Sequence, residues 1–172
     1  QQSTTASFGW RRYYHAIYIA NYIIENQTKI TEATQDEISQ LVGEAYMMRA
    51  YCHFLLVNLY ADAYTHCNPA TTRGIPLSLE ANVNNVLTCS SVEQVYQQVI
   101  ADIKEAKTRL KVAAWDEGYT YRFNTVSADA LMARVCLYKG DWQNALAAAQ
   151  AVSDMGKTGK IHVTGLGLPS EL

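Results

Sequence analysis

ISQLVGEAYMMRAYCHFLLVNL, residues 38–59, carries apolar side chains at Ile38, Leu41, Val42, Ala45, Met48, Cys52, Leu55, Leu56 and Leu59. They recur every three or four positions, the spacing of one face of an α-helix. Met47, Tyr51, Phe54 and Val57 occupy the remaining faces, so this helix is expected to be covered on more than one side and to form the spine of a helical domain. Arg49, His53 and Asn58 interrupt the stretch, and an arginine at mid-bilayer costs roughly 2.5–3.5 kcal/mol, which argues against a membrane span.

Further helices flank the spine. On its N-terminal side, Trp10, Tyr14, Ile17, Tyr18, Tyr22 and Ile24 give a first helix, separated from the spine by the polar, turn-like residues 26–34. On the other side, residues 62–88 hold Pro69, Gly74, Pro76 and several Asn and Thr; a structureless loop of that length is a candidate binding or docking loop. Ser90-x-x-Glu93 reads as a capping box announcing a third helix, whose face is Val92, Val95, Tyr96, Val99, Ile103, Ala106 and Leu110. A second connection, residues 111–124, gathers Trp115, Tyr119, Tyr121 and Phe123. The last two helices, about Thr125 to Lys139 and Trp142 to Met155, are hinged at Gly140-Asp141, where Asp141 can cap the second. So short a hinge makes them antiparallel neighbours. Trp142 is expected to pack between them, with Ala133 at their close contact and Ala128, Ala130, Ala145 and Ala149 along both. After Met155 a Gly-rich tail contains one short run, Ile161-His162-Val163, and completes no helix pair.

Composition limits the function. The 172 residues suit one domain, 49 % apolar and 17 % charged, with a formal net charge of -2 and no basic run, so nucleic acid is not an expected partner. The N-terminus has neither a basic nor an apolar targeting segment. Four cysteines match no zinc or redox spacing; Cys52 and Cys136 fall on apolar helical stripes, while Cys67 and Cys89 bracket the long loop and would be the pair if oxidised.

No enzyme class is supported: nucleophile-elbow, phosphate-loop and zinc-protease motifs are absent, and His15 and His162 have no reactive partner at a diagnostic spacing. Cys52-His53 and His66-Cys67 suggest a metal, but helical neighbours point about 100° apart, so core thiols and surface histidines are the better reading and no cofactor is expected. Glu44 and Arg49 are close enough along the spine to be read as buried partners in a structural pair. Trp115, Tyr119 and Tyr121 form the candidate ligand site: pyranose C–H faces pack on aromatic rings while the sugar hydroxyls find polar rims. Plugging of the helix ends by the same rings is the competing reading.

The segment Ala128-x-x-Leu131-x-Ala133, then Gly140-Asp141-Trp142-x-x-Ala145 and Ala149, resembles a tetratricopeptide repeat, with Asp129 and Cys136 where that repeat prefers aromatics. In order along the chain come Trp10-Arg11-Arg12-Tyr13-Tyr14 through Asn21, Gly43-Glu44-Ala45-Tyr46-Met47-Met48-Arg49-Ala50-Tyr51, Leu59-Tyr60-Ala61-Asp62, Gly74-Ile75-Pro76-Leu77, Ser91-Val92 to Leu110, and Arg122-x-Asn124 to Tyr138. Together they resemble the N-terminal half of the SusD/RagB family. That resemblance implies an all-α fold of antiparallel helix pairs stacked as a tetratricopeptide-like right-handed domain over residues 1–155, with residues 156–172 as an irregular tail cut from a larger protein. It also implies a non-catalytic surface lipoprotein of the outer membrane that captures an oligosaccharide or other nutrient beside a TonB-dependent transporter. Such a protein meets the membrane only through an N-terminal lipid anchor absent from this chain. A helical-repeat adaptor that docks peptides in a groove lined by Asn, Lys and Arg is the alternative.

Overall fold

The computed structural model describes residues 9–85 and 87–157; the Ile161 to Val163 run lies outside the described residues. Five helices follow one another: α1 (Trp10–Asn26), α2 (Gln35–Tyr60), α3 (Val92–Arg109), α4 (Thr125–Lys139) and α5 (Trp142–Lys157). Consecutive helices pack as neighbours, and α5 lies chiefly against α4. This is the expected all-α stack of tetratricopeptide-like antiparallel pairs. The last helix continues two residues past Met155.

The helix starts show why these segments are helical. Thr34 caps α2 in a reciprocal box with Glu37, which satisfies orphan N–H groups at the first turn. For α3 the box is Ser91 with Gln94, one residue later than the expected Ser90 with Glu93. The shift has a cause: residues 89–91 are still extended, and the chain turns helical only after them. Asn124 caps α4 together with Ser127. Between α4 and α5, Gly140 takes φ +78°, a conformation suited to glycine, and the Asp141 carboxylate accepts from the Asn144 backbone N–H at 3.3 Å.

The connection over residues 62–88 is not structureless. It contains a 3₁₀ turn at Tyr64–His66 and strand β1 (Arg73–Pro76), antiparallel to β2 (Cys89–Ser91) with an irregular register. Ile75 on β1 is buried, anchoring the connection to α2 and α3. A Cβ on Gly74 would come within 3.0–3.1 Å of Ser90 and Ser91 backbone atoms, so the strands approach this closely only because the residue is glycine.

The core joins Met47, Phe54, Leu56 and Val57 of α2 to Val95, Val99 and Ile103 of α3, with Ile17 from α1 and Ala128 and Val135 from α4. As expected, α2 is buried on several faces. Glu44 and Arg49, however, do not pair. Five helical positions place them about 140° apart around the axis, so they face different neighbours. Arg49 donates through Nε and Nη2 to Asp102 of α3 at 2.8 and 2.6 Å, and through Nη1 to the Asn21 carboxamide oxygen at 2.9 Å. Asn21 in turn donates to the Ser78 and Glu80 carbonyls, both at 3.1 Å. A buried charge thus has a bidentate partner and a third acceptor, as burial requires.

His53 is fully buried rather than superficial, because α2 faces neighbours where a lone amphipathic helix would face water. Its Nε2 accepts weakly from the Ser78 N–H at 3.4 Å. Nδ1 makes no hydrogen bond of ordinary geometry, although the nearby Arg49 backbone slightly favours the charged ring. Burial, reinforced by the Arg49 charge, pushes the imidazole down to about 3. Trp142 also departs from expectation: it is 66 % exposed. In the first turns of α5 it is the small Ala145, not Trp142, that is buried. Trp142 lies instead on an outer groove with Leu137, Leu146 and the partly buried Ala133.

Candidate functional site

The ligand site expected at Trp115, Tyr119 and Tyr121 divides in two. Gln40, on α2 and nearly fully buried, fixes the base of the 111–124 connection: its side-chain oxygen accepts from the Lys111 and Val112 N–H groups at 2.8 and 3.1 Å, and its amide donates to the Phe123 carbonyl at 3.2 Å. Trp115 Nε1 donates to the same carbonyl at 2.9 Å, and the Arg122 guanidinium lies over the indole at 3.9 Å. The indole is half-buried and spent on the loop itself. Trp115 is therefore tied to Phe123 and Arg122 of its own loop rather than standing free beside Tyr119 and Tyr121.

Tyr119 and Tyr121 are different. They are exposed, 53 % and 78 %, and stand beside a groove of about 520 Å³ between α1 and α2. The groove floor is aliphatic, with Ile19 and Ile23 from α1 and Leu41 and Met48 from α2. Its one charged pair is Arg122 with Glu44, at 2.7 and 3.1 Å. Hydrogen bonding to Glu44 raises the Arg122 pKa above its ordinary value. The arrangement offers two phenol rings, an apolar floor and one ion pair at the edge. It can hold a ring or chain by its apolar face and orient it by a few polar contacts.

Four groove residues are not legible in the sequence as contributors. Ile19 and Ile23 form an i, i+4 pair off the core face of α1, and Leu41 and Met48 were placed in the core stripe although they are 37 % and 39 % exposed. The signal was the stripe's width: α2 has more apolar positions than one neighbour can cover. A second aromatic group, Trp10 with Tyr14 at 5.0 Å and Tyr60 at 4.7 Å between ring centroids, lies where α1 begins and α2 ends. Cys52 and Cys136 are core thiols as expected, and burial pushes the Cys52 thiol up to about 11. Cys67 and Cys89 are half-buried free thiols, and Cys67 Sγ donates to the Tyr64 carbonyl at 3.8 Å. Among the described residues no group of three or more His, Cys, Asp or Glu side chains is placed to hold a metal ion, and no helix is long and apolar enough to cross a membrane.

The chain is thus a stack of antiparallel helices whose 111–124 connection sets two phenol rings beside an apolar groove. A family model described as SusD-like, starch-binding and associating with the outer membrane matches residues 1–137. The chain belongs to this SusD-like family. It is 31 % identical over 148 residues to SusD-like protein P38 of Formosa agariphila, covering 84 % of this chain and 25 % of that protein. A SusD superfamily protein of Bacteroides vulgatus superposes with a TM-score of 0.80 at 26 % identity, over 90 % of this chain and 34 % of that one. A laminarin-binding SusD-like protein superposes with a TM-score of 0.71 at 26 % identity, over 84 % of this chain and 29 % of that one. The chain spans about a quarter of the length of the curated relatives it matches.

Proposed function

We propose that this chain is the helical portion, residues 1–155, of a longer, non-catalytic glycan-binding protein of the outer-membrane surface, lipid-anchored and working beside a TonB-dependent transporter. The observation that carries the reading is the pair Tyr119 and Tyr121, held open to solvent over a groove by a loop whose base is fixed through Gln40. Its relatives supply the ligand class, since one structural neighbour is a laminarin-binding protein. Two phenol rings and an aliphatic floor are only part of what a sugar site requires, because affinity comes from several converging aromatic and polar groups. The remaining groups are assigned to the rest of the longer protein.

Calorimetric titration of this chain and of its full-length parent with laminarin oligosaccharides tests the proposal. The parent is expected to bind and this chain to bind far more weakly, since losing ~3 kcal/mol turns a micromolar site into one of about 0.1 mM. Tyr121→Ala in the parent is expected to weaken binding. A parent that takes up no glycan in an array would refute the function, and full affinity in this chain alone would refute the divided site.

A further inference from the structure

A second groove, of about 650 Å³, runs on the other side of the molecule, where α3 and α5 diverge over α4. Its floor is aliphatic and thioether in character, formed by Ile100, Met132 and Ala148. Three lysines stand along it, Lys104 and Lys107 from α3 and Lys139 from α4. The carboxylates within reach are already engaged. Asp129 is held by Lys107, and Asp141 binds both the backbone and side-chain amides of Asn144. Glu93 takes Tyr64, Gln97 and, at 3.6 Å, Lys139. Among the described residues Lys104 has no hydrogen-bond or ion-pair partner. Of the groove's charged groups the Lys104 ammonium is the one left unpaired, and an ammonium donates three hydrogen bonds and accepts none.

We propose that this groove binds a short acidic peptide segment of a partner protein, its carboxylates on Lys104 and Lys139 and its apolar side chains on Ile100, Met132 and Ala148. The chemistry selects a peptide over an anionic glycan. Sugar rings are held by stacking on aromatic faces, and none of the side chains lining this groove is aromatic, whereas aliphatic and methionine side chains suit the apolar residues of a polypeptide. The length fits as well. From Gln97 to Lys107 the α3 wall rises about 15 Å, the span of four or five extended residues. The site shares no lining residue with the Tyr119–Tyr121 groove, so it stands or falls independently of the glycan reading.

The test is a titration of the ¹⁵N-labelled chain with the capped peptide Glu-Leu-Glu-Leu-Glu and with its Lys-for-Glu counterpart, followed by amide chemical shifts. The acidic peptide is expected to shift resonances of α3, α4 and α5 around the groove and to bind about tenfold more tightly than the basic one. Raising the salt should weaken it, because the contacts are between partly exposed charges. Lys104→Glu, an exposed substitution that leaves the core untouched, should remove most of that preference, and Ala148→Trp should block the floor. No shifts in the groove, equal binding of the two peptides, or undiminished binding by both variants would overturn the proposal. So would saturation of the same resonances by a polygalacturonate oligosaccharide in preference to the peptide.

Discussion

Helix α2 supplies one charge to each of two arginine–carboxylate pairs, and the two pairs are built for different ends. Arg49 meets Asp102 with side-chain exposures of 8 % and 2 %, while Glu44 meets Arg122 with exposures of 15 % and 30 %. Both are bidentate and of similar length. In the core pair no water can replace a lost partner, so its importance lies in what breaking it would cost. At the groove edge water competes for both ions, and the pair does little for stability. What it does is geometric: the same guanidinium that meets Glu44 lies on the Trp115 ring and so holds the rim that carries Tyr119 and Tyr121.

Arg49→Met is the severest way to break this contrast. It leaves the Asp102 carboxylate buried with only Gln98 at 2.8 Å, and a loss of about 3–5 kcal/mol is expected in urea denaturation. Adding Asp102→Leu should recover most of the loss. A cost below about 1 kcal/mol for the single change would mean that water reaches the pair and that the two sites do not differ.

His53 sharpens the comparison from one turn further along α2. Its folded value of about 3 lies below the ordinary 6.5, so between these values the unfolded chain binds a proton that the folded ring refuses. Stability from this group is therefore complete above about pH 6.5 and declines as the pH falls toward 3, by about 3 kcal/mol at pH 4. His53→Gln should flatten that decline in urea melts at pH 4 and pH 7. An unchanged decline would place the acid sensitivity elsewhere.

Arg122→Ala should have the smallest effect on stability, within about 1 kcal/mol. Near-ultraviolet circular dichroism should nevertheless change, because Trp115 loses the cation stacked on its face. A large drop in stability would show that the rim belongs to the core.

What could be read in the sequence was what depends on near neighbours. The Gly140-Asp141 hinge, the extent of α4 and the stripe of α3 follow from residues within a turn or two of one another, and the structure places each as expected. The Arg49 partner could not be read this way, since Asp102 lies 53 positions away and Asn21 lies 28 positions away. Both sit as polar residues in apolar stripes, Asn21 beside Ala20 and Asp102 beside Ile103, and that anomaly was the available signal. Strands β1 and β2 have four and three residues, too few for an alternation to register. At the candidate site the aromatic cluster was legible as composition. Which ring faces inward was not, because that is settled by the Phe123 carbonyl and by Gln40, a residue 83 positions from that carbonyl.

Asn21 makes a knot of three otherwise separate pieces of chain. Its carboxamide receives Arg49 with its oxygen and grips residues 78 and 80 with its nitrogen, so α1, α2 and the long connection each hold one thread. None of the three bonds can be completed until segments up to 59 positions apart have met, and bringing distant segments together is the entropically slow part of folding. Because one side chain holds all three, replacing Asn21 would at once release the Ser78 and Glu80 carbonyls and leave one Arg49 donor unpaired.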